Sequence, residues 1–173
     1  MSVIDKFRSW NRKRIAKKRL SKPSQMTPFG FKLKAIAEMQ DGGFEPQETA
    51  LVRSLLNRTD RFINVGANMG IYCCFAAQKN VPTIAFEPIP ENVSFIMQNL
   101  QENNWSDRVT ILPVGAGESA GIVEIYGVGT GSSMVEGWAN NPSNLKQSVP
   151  VVALNDCIAP PTTDQRSFIL MDI

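Results

Sequence analysis

The sequence predicts an α/β fold, in which a mostly parallel β-sheet carries helices on both faces. Short apolar segments typical of strands occur at 62–65, 83–86 and 109–114, and two segments with apolar residues at helical spacing, 69–79 and 91–103, separate them. This alternation indicates strand–helix–strand units with right-handed crossovers. In such a sheet a ligand crevice is expected at the carboxyl ends of the strands.

The amino-terminal segment, residues 1–22, is strongly basic. It holds nine of the 18 Lys and Arg residues against one acid, Asp5, and apolar side chains are interleaved with them. The pattern predicts a basic arm, either a solvated helix or a disordered segment; the alternative is an amphipathic helix in weak contact with an anionic membrane surface. Nucleic acid is not expected as a partner.

Residues 23–43 predict a linker followed by a short helix. Pro23 and Pro28 stand among polar residues, which is typical of a linker, and the helix is expected at 31–40. The main domain then covers residues 44–173.

The character of the chain changes after the third strand. Residues 115–155 contain an alternating segment at 121–126, several glycines and an apolar segment at 149–154, which together predict a β-rich insertion with a flexible loop. A last, buried strand is expected at 167–173.

A glycine turn connects the first strand of the sheet to its helix. Gly66 and Gly70 lack the β-carbons that would keep a ligand away from the backbone, and the first turn of the following helix offers N–H groups and a positive dipole end. Glu87 ends the next strand, where a carboxylate can accept hydrogen bonds from the hydroxyls of a ribose. The layout predicts a nucleoside site.

The glycine spacing disfavours a nicotinamide or flavin dinucleotide. That fingerprint requires glycine at positions 68 and 71, where this chain has Asn68 and Ile71. An NAD-dependent oxidoreductase is therefore the weaker alternative.

The turn resembles the first motif of class I S-adenosylmethionine methyltransferases. More narrowly, Val65-Gly66-Ala67-Asn68-Met69-Gly70 is similar to the VGANxG signature of the FkbM methyltransferase family. Further segments match that family in the same order: Phe86-Glu87-Pro88-Ile89-Pro90-Glu91-Asn92, Gly131-Ser132-Ser133-Met134 and Phe168-Ile169-Leu170-Met171-Asp172-Ile173. The resemblance covers about residues 44–173. Asn64 stands where the family usually has Asp, and the chain stops where the family pattern continues into Glu-Gly.

The resemblance implies S-adenosyl-L-methionine as cofactor, no metal, and methyl transfer to a hydroxyl oxygen of a small molecule or glycan. The implied cofactor-binding residues are Asn64, Gly66, Ala67, Asn68 and Gly70 near the methionyl part, Glu87 at the ribose, and Gly115 and Ala116 at the adenine. Asp172 is the implied catalytic residue, which would orient or deprotonate the acceptor hydroxyl.

The resemblance also implies a Rossmann-like sheet larger than this chain supplies. We therefore expect only the amino-terminal half of the methyltransferase sheet plus the β-rich insertion, in a chain truncated at its carboxyl end. The strand at 168–173 would then be an edge through which the chain can oligomerise. A catalytically inactive fragment that binds a nucleoside or a protein remains open as the alternative function.

Composition excludes several mechanisms. The sequence contains no histidine, so a His general base, a Ser/His/Asp triad and a His-bound metal are excluded within this chain. Its three cysteines show neither a disulfide framework nor metal-ligand spacing, and we expect buried thiols in a reducing compartment. No apolar run of about 18 residues and no secretory signal is recognisable, so a cytoplasmic location is expected.

Overall fold

The structure, a computed structural model, describes residues 23–126 and 146–172. The basic arm at 1–22, the segment Gly131-Ser132-Ser133-Met134 and Ile173 lie outside the described residues. The strands are β1 (Gln25–Met26), β2 (Lys32–Leu33), β3 (Arg61–Val65), β4 (Thr83–Phe86), β5 (Val109–Leu112), β6 (Gly115–Gly117), β7 (Gly121–Tyr126), β8 (Lys146–Ala153) and β9 (Ser167–Met171). The helices are α1 (Ala37–Gln40), α2 (Pro46–Leu55), α3 (Ile71–Gln78), α4 (Pro90–Glu102) and α5 (Leu154–Cys157), with a 3-10 turn at Leu56–Arg58.

The central sheet has four strands in the order β5-β4-β3-β9, and all three pairings are parallel. Val65 pairs with Phe86 on one side and Met171 on the other, and Phe86 pairs with Leu112. The carboxyl ends of the four strands therefore lie at one edge. This arrangement confirms the predicted Rossmann-like α/β fold with a mostly parallel sheet.

A second sheet with the order β6-β8-β7 forms the predicted β-rich region. β6 is parallel to β8, and β7 pairs antiparallel with β8. Its residues Ala116 and Val152, with Leu154 of α5, pack against Ile63 and Val65 of the central strand. The small sheet and α5 thus cover one face of the central sheet, opposite the face on which α3 lies.

Helix α3 is the most deeply buried helix of the described chain. Its residues from Ile71 to Ala77 are all buried, in two clusters that also contain Phe62 of β3 and Ile96 of α4. Because the helix is apolar on all sides, it can be stable only where other elements surround it. Tight packing on this helix fixes where the preceding glycine turn ends.

The helix predicted at 31–40 is wrong over its first six residues. Phe31 and Leu33 belong to the β1–β2 hairpin, and only the last four residues are helical. Phe31 is buried with its ring 5.3 Å from that of Phe75, in an edge-to-face contact, and 5.9 Å from that of Trp105. Apolar residues at every second position from 29 to 35 follow the strand period rather than the helical one. Within the segment predicted as a linker, Phe29 packs against the core and Thr27 is buried.

Strand β9 is the edge of the central sheet within the described residues. Phe168 and Leu170 pack against the core, whereas Ile169 and Met171 are 48% and 52% exposed. The strand predicted to be buried is therefore covered on one face only. Among the described residues, no helix is long and apolar enough to cross a bilayer.

Candidate functional site

The loops that follow the four parallel strands meet at the carboxyl edge of the sheet. The N–H groups of Gly66 and Ala67 both donate to the carbonyl of Phe86, at 3.0 Å each. Glu87 donates its N–H to the Leu112 carbonyl at 3.1 Å, and Asp172 donates its N–H to the Val65 carbonyl at 3.0 Å. The structure therefore brings the glycine turn, Glu87 and Asp172 to one rim, as the sequence predicts.

The turn at residues 66–70, here called the glycine loop, requires unusual backbone angles. Gly66, Asn68 and Gly70 have φ of 79°, 52° and 86°, a left-handed region that Gly adopts freely and Asn more readily than most residues. A β-carbon on Gly70 would lie 3.0 Å from Cγ1 of Ile96. Gly70 is thus needed for the turn and for the close approach of α4.

The amides of the glycine loop are largely engaged within the chain. Besides the two bonds to Phe86, the N–H of Gly70 donates to the Ala67 carbonyl at 2.9 Å, and that of Asn68 donates to Oε2 of Glu87 at 2.6 Å. A ligand would therefore meet this loop through other groups. The first turn of α3 remains the predicted main-chain contact.

Glu87 is a buried carboxylate that already accepts several hydrogen bonds. Its residue is only 3% exposed. Oε2 accepts the bond from Asn68, while Oε1 accepts the Ile89 N–H at 2.9 Å and Nδ2 of Asn92 at 3.2 Å. Burial raises the pKa of Glu87 above its ordinary value, and these hydrogen bonds oppose that rise. A carboxylate has about four acceptor positions, so a ribose could use the carboxylate fully only if it replaced a present donor.

Asn64 lies beneath the glycine loop, on β3. It is 1% exposed, and its Nδ2 is 3.5 Å from Sγ of Cys73, while its Oδ1 has no hydrogen-bond partner. Oδ1 of Asn68 is likewise buried and unpartnered. Two unpaired acceptors beside one loop fit a ligand that carries N–H donors, such as the amino group of a methionyl moiety. The neutral amide of Asn64 would not add the attraction for a cation that an Asp would.

Cys73 and Cys74 form part of the core behind this loop. Both are buried free thiols, as predicted, whereas Cys157 is an exposed free thiol, so the prediction of burial is wrong for that residue. Burial raises the pKa of Cys73 to about 12 and that of Cys74 well above its usual range. Both buried groups are therefore neutral thiols at physiological pH.

Gly115 and Ala116 occupy the start of β6. A β-carbon on Gly115 would lie 3.1 Å from Cγ1 of Val151 and 3.8 Å from Cγ of Pro88, so this glycine lies beside the segment that follows Glu87. Ala116 is 9% exposed and packs in the core beneath the central sheet. Their assignment to the adenine stays a prediction.

Tyr72 and Glu45 form a contact at the same rim that sequence reasoning missed. Tyr72 is the second residue of α3, and its hydroxyl donates to Oε2 of Glu45 at 2.9 Å. Glu45 directly precedes α2 and has a backbone φ of 40°. Burial raises the pKa of the Tyr72 hydroxyl above its ordinary value. Nothing in the local sequence links Glu45 to Tyr72, which lies 27 residues further along the chain.

Two clefts lie elsewhere on the described surface. One, of about 540 Å³, is lined by residues that include Asp60, Lys79 and Pro82, at the opposite edge of the sheet. The other, of about 490 Å³, runs between α4 and β5 past Met97 and Ile111. Neither contains a predicted cofactor residue. Within the described residues, no three His, Cys, Asp or Glu side chains are grouped as metal ligands would be.

Comparison with known proteins gives matches among solved structures only. No protein-family model matches the chain, and no curated protein matches it. The methyltransferase FkbM from Methylobacillus flagellatus is similar at 20% identity and a TM-score of 0.43, over 66% of this chain and 26% of that protein. An S-adenosylmethionine-dependent O-methyltransferase from Thermotoga maritima is similar at 22% identity and a TM-score of 0.37, over 43% of this chain and 31% of that protein. A putative O-methyltransferase from Klebsiella pneumoniae is similar at 22% identity and a TM-score of 0.33, over 38% of this chain and 31% of that protein.

These similar structures are methyltransferases of several kinds, and each alignment spans about a quarter to a third of the matched protein's length.

Proposed function

We propose that this chain binds S-adenosyl-L-methionine and takes part in methyl transfer to a hydroxyl oxygen, in the manner of the FkbM family that its motifs resemble. The observation that carries the proposal is the hydrogen bond between Glu87 and the Asn68 amide, which joins the two motif segments at the carboxyl edge of a parallel sheet. The unpaired Oδ1 atoms of Asn64 and Asn68 support a ligand with N–H donors at the same place.

The chemistry requires mainly that two reactants be held in line. The cofactor, when bound, supplies a methyl group on a positively charged sulfur. Asn64 and Asn68 would accept hydrogen bonds from the methionyl end, and Glu87 would accept one from the ribose. Asp172 is exposed at the same rim, where its carboxylate could orient the acceptor hydroxyl or take its proton. The proposed acceptor is a small molecule or a glycan.

Binding without catalysis is a second candidate function. Glu87 is almost fully buried with three donors already on its oxygens, and Asn64 is neutral. The engaged oxygens of Glu87 weaken recognition of the ribose in both the cofactor and its product, and the neutral Asn64 lacks the charge that would attract the cationic cofactor. A protein that retains S-adenosylhomocysteine but transfers no methyl group would fit them.

Thermal unfolding of the full chain with and without S-adenosylhomocysteine tests the proposal. A ligand at about 100 times its Kd stabilises the native state by about 2.7 kcal/mol, which for a chain of this size raises the midpoint by about 5–11 °C. We expect a saturable rise with S-adenosylhomocysteine and none with NAD. A cooperative transition that neither compound shifts contradicts cofactor binding, and a shift with NAD alone supports the oxidoreductase alternative.

Transfer of a radiolabelled methyl group to a panel of hydroxylated small molecules and glycans separates the two candidate functions. Incorporated label that is lost on Asp172→Asn supports catalysis. Tight S-adenosylhomocysteine binding with no incorporation supports the binding module.

We further propose a cytoplasmic location and weak contact of the basic arm at 1–22 with anionic membranes. The free thiols at Cys73, Cys74 and Cys157 support the former, since free cysteines are typical of reducing compartments. Co-sedimentation with vesicles that contain or lack phosphatidylserine tests the latter.

A further inference from the structure

Asn99 lies at the junction of the glycine loop, α4 and the amino-terminal hairpin. It is 1% exposed, which is unusual for a side chain that offers both donors and an acceptor. Nδ2 donates to the Met69 carbonyl at 2.9 Å and to the Lys34 carbonyl at 3.2 Å, and Oδ1 accepts the Lys34 N–H at 2.7 Å. One buried amide therefore satisfies three main-chain groups from two distant segments.

Asn103, the residue directly after the last residue of α4, makes similar main-chain contacts but none with the loop. Its Oδ1 accepts the Lys32 N–H at 2.9 Å, and its Nδ2 donates to the Lys32 carbonyl at 2.7 Å and to the Asn99 carbonyl at 2.7 Å. The two asparagines bond the main chain of Lys32 in β2 and of Lys34 directly after it, as a neighbouring strand would. They differ in that only Asn99 contacts the glycine loop.

We propose that Asn99 is a positioning residue for the glycine loop, and thereby for the cofactor that the loop is proposed to bind. Met69 lies between two left-handed residues, Asn68 and Gly70, so its carbonyl direction follows from the shape of the whole turn. A donor held by α4 and by the Lys34 backbone selects that direction. Glu87 fixes the other side of the loop through the Asn68 amide.

The effect of Asn99 on the cofactor rests on the proposed function, whereas its effect on the shape of the glycine loop does not. Replacement of Asn99 leaves the Met69 carbonyl without its partner in a buried place, and it leaves both Lys34 groups without theirs in a partly buried one. A lost buried hydrogen bond of this kind corresponds to about a tenfold change in a local equilibrium. The Gly66–Gly70 turn should then open more often.

The first test is amide hydrogen exchange of the ligand-free full chain, read residue by residue by NMR, for Asn99→Leu and the matched Asn103→Leu. We expect about tenfold faster exchange at Gly66, Ala67, Asn68 and Gly70 in Asn99→Leu only. The Lys32 amide should exchange faster in Asn103→Leu, which shows that the control breaks its own contacts. Equal loop exchange in the two variants overturns the proposal.

Asn99→Asp gives a second variant of nearly the same size, which keeps an acceptor for the Lys34 N–H but, when ionised, cannot donate to Met69. Faster loop exchange with a protected Lys34 amide supports positioning through the donor. If both Asn99 variants fail to fold while Asn103→Leu folds, Asn99 is a residue of global stability and the proposal is wrong.

Calorimetric titration with S-adenosylhomocysteine then links the loop to the ligand. We expect about tenfold weaker binding for Asn99→Leu and less than twofold for Asn103→Leu. Unchanged affinity despite a loosened loop overturns positioning of the cofactor. If wild type binds no S-adenosylhomocysteine yet the exchange pattern holds, the proposed function fails while Asn99 still positions the loop.

Discussion

Gly70→Ala should destabilise the chain through two separable effects. At φ of 86° the alanine must adopt a left-handed conformation, which costs about 1–2 kcal/mol. Its β-carbon would also lie 3.0 Å from Cγ1 and 3.4 Å from Cα of Ile96, closer than the roughly 3.5–4.0 Å optimum for carbon atoms. Ile96 is fully buried on α4 and has little room to move, so overpacking adds about 1–3 kcal/mol. We expect a total loss of about 2–5 kcal/mol in urea-induced unfolding.

Gly30→Ala provides the matched control. Gly30 has a φ of 85°, but its added β-carbon would meet nothing nearer than Nε2 of Gln78, at 3.7 Å. This variant should lose only the backbone part, about 1–2 kcal/mol. The difference between the two variants measures the clash with Ile96. Equal losses in the two variants would show that α4 yields to the new methyl group and that the close approach does not constrain the loop.

Three further outcomes follow from the buried groups around the loop. The pKa of Glu87 is raised above 4.5, so the native state holds this proton more tightly than the unfolded chain does. Wild type should therefore lose stability relative to Glu87→Gln as the pH rises from 4.5 through the raised pKa. A difference in urea midpoints that does not change with pH would contradict this. Asn64→Asp should lower the stability of the chain, because it buries an unpaired carboxylate. The same substitution should strengthen binding of cationic S-adenosylmethionine relative to S-adenosylhomocysteine, and titration of both ligands measures this. A thiol reagent at pH 8 should label Cys157 rapidly and Cys73 and Cys74 only after unfolding, and rapid labelling of more than one thiol in the native chain would refute their burial.

The alternation of strands and helices was predictable because apolar periodicity reports burial directly. The strand at 83–86 was predicted with its observed bounds, and the helix at 91–103 was displaced by one residue. The meeting of Gly66 and Glu87 at one rim followed from parallel pairing alone, whereas the role of Asp172 at the site was implied by the family resemblance. These features depend on local pattern and on a single topological rule.

The contacts that shape the site depend instead on distant partners. Nothing local shows that Asn99 bonds Met69 and Lys34, although a polar residue on the apolar face of a helix, beside Ile96 and Leu100, was a usable signal. Of the three donors on Glu87, the Asn68 amide is the distant one, 19 residues back in the chain, whereas Ile89 and Asn92 belong to the helix start that directly follows Glu87. Pattern located the loop ends but could not say which of their polar groups were already engaged.

The pairing of β3 with β9 has a consequence for synthesis on the ribosome. Val65, at the end of β3, is followed by about 100 residues before Ser167 begins its partner strand. At about 5–20 residues per second, β3 is synthesised about 5–20 s before β9 and lacks that partner strand during the interval. During that interval the nascent chain presents the apolar segment Phe62-Ile63-Asn64-Val65 to any passing strand, so correct assembly depends on how fast translation delivers the last strand and on what shields the first one meanwhile.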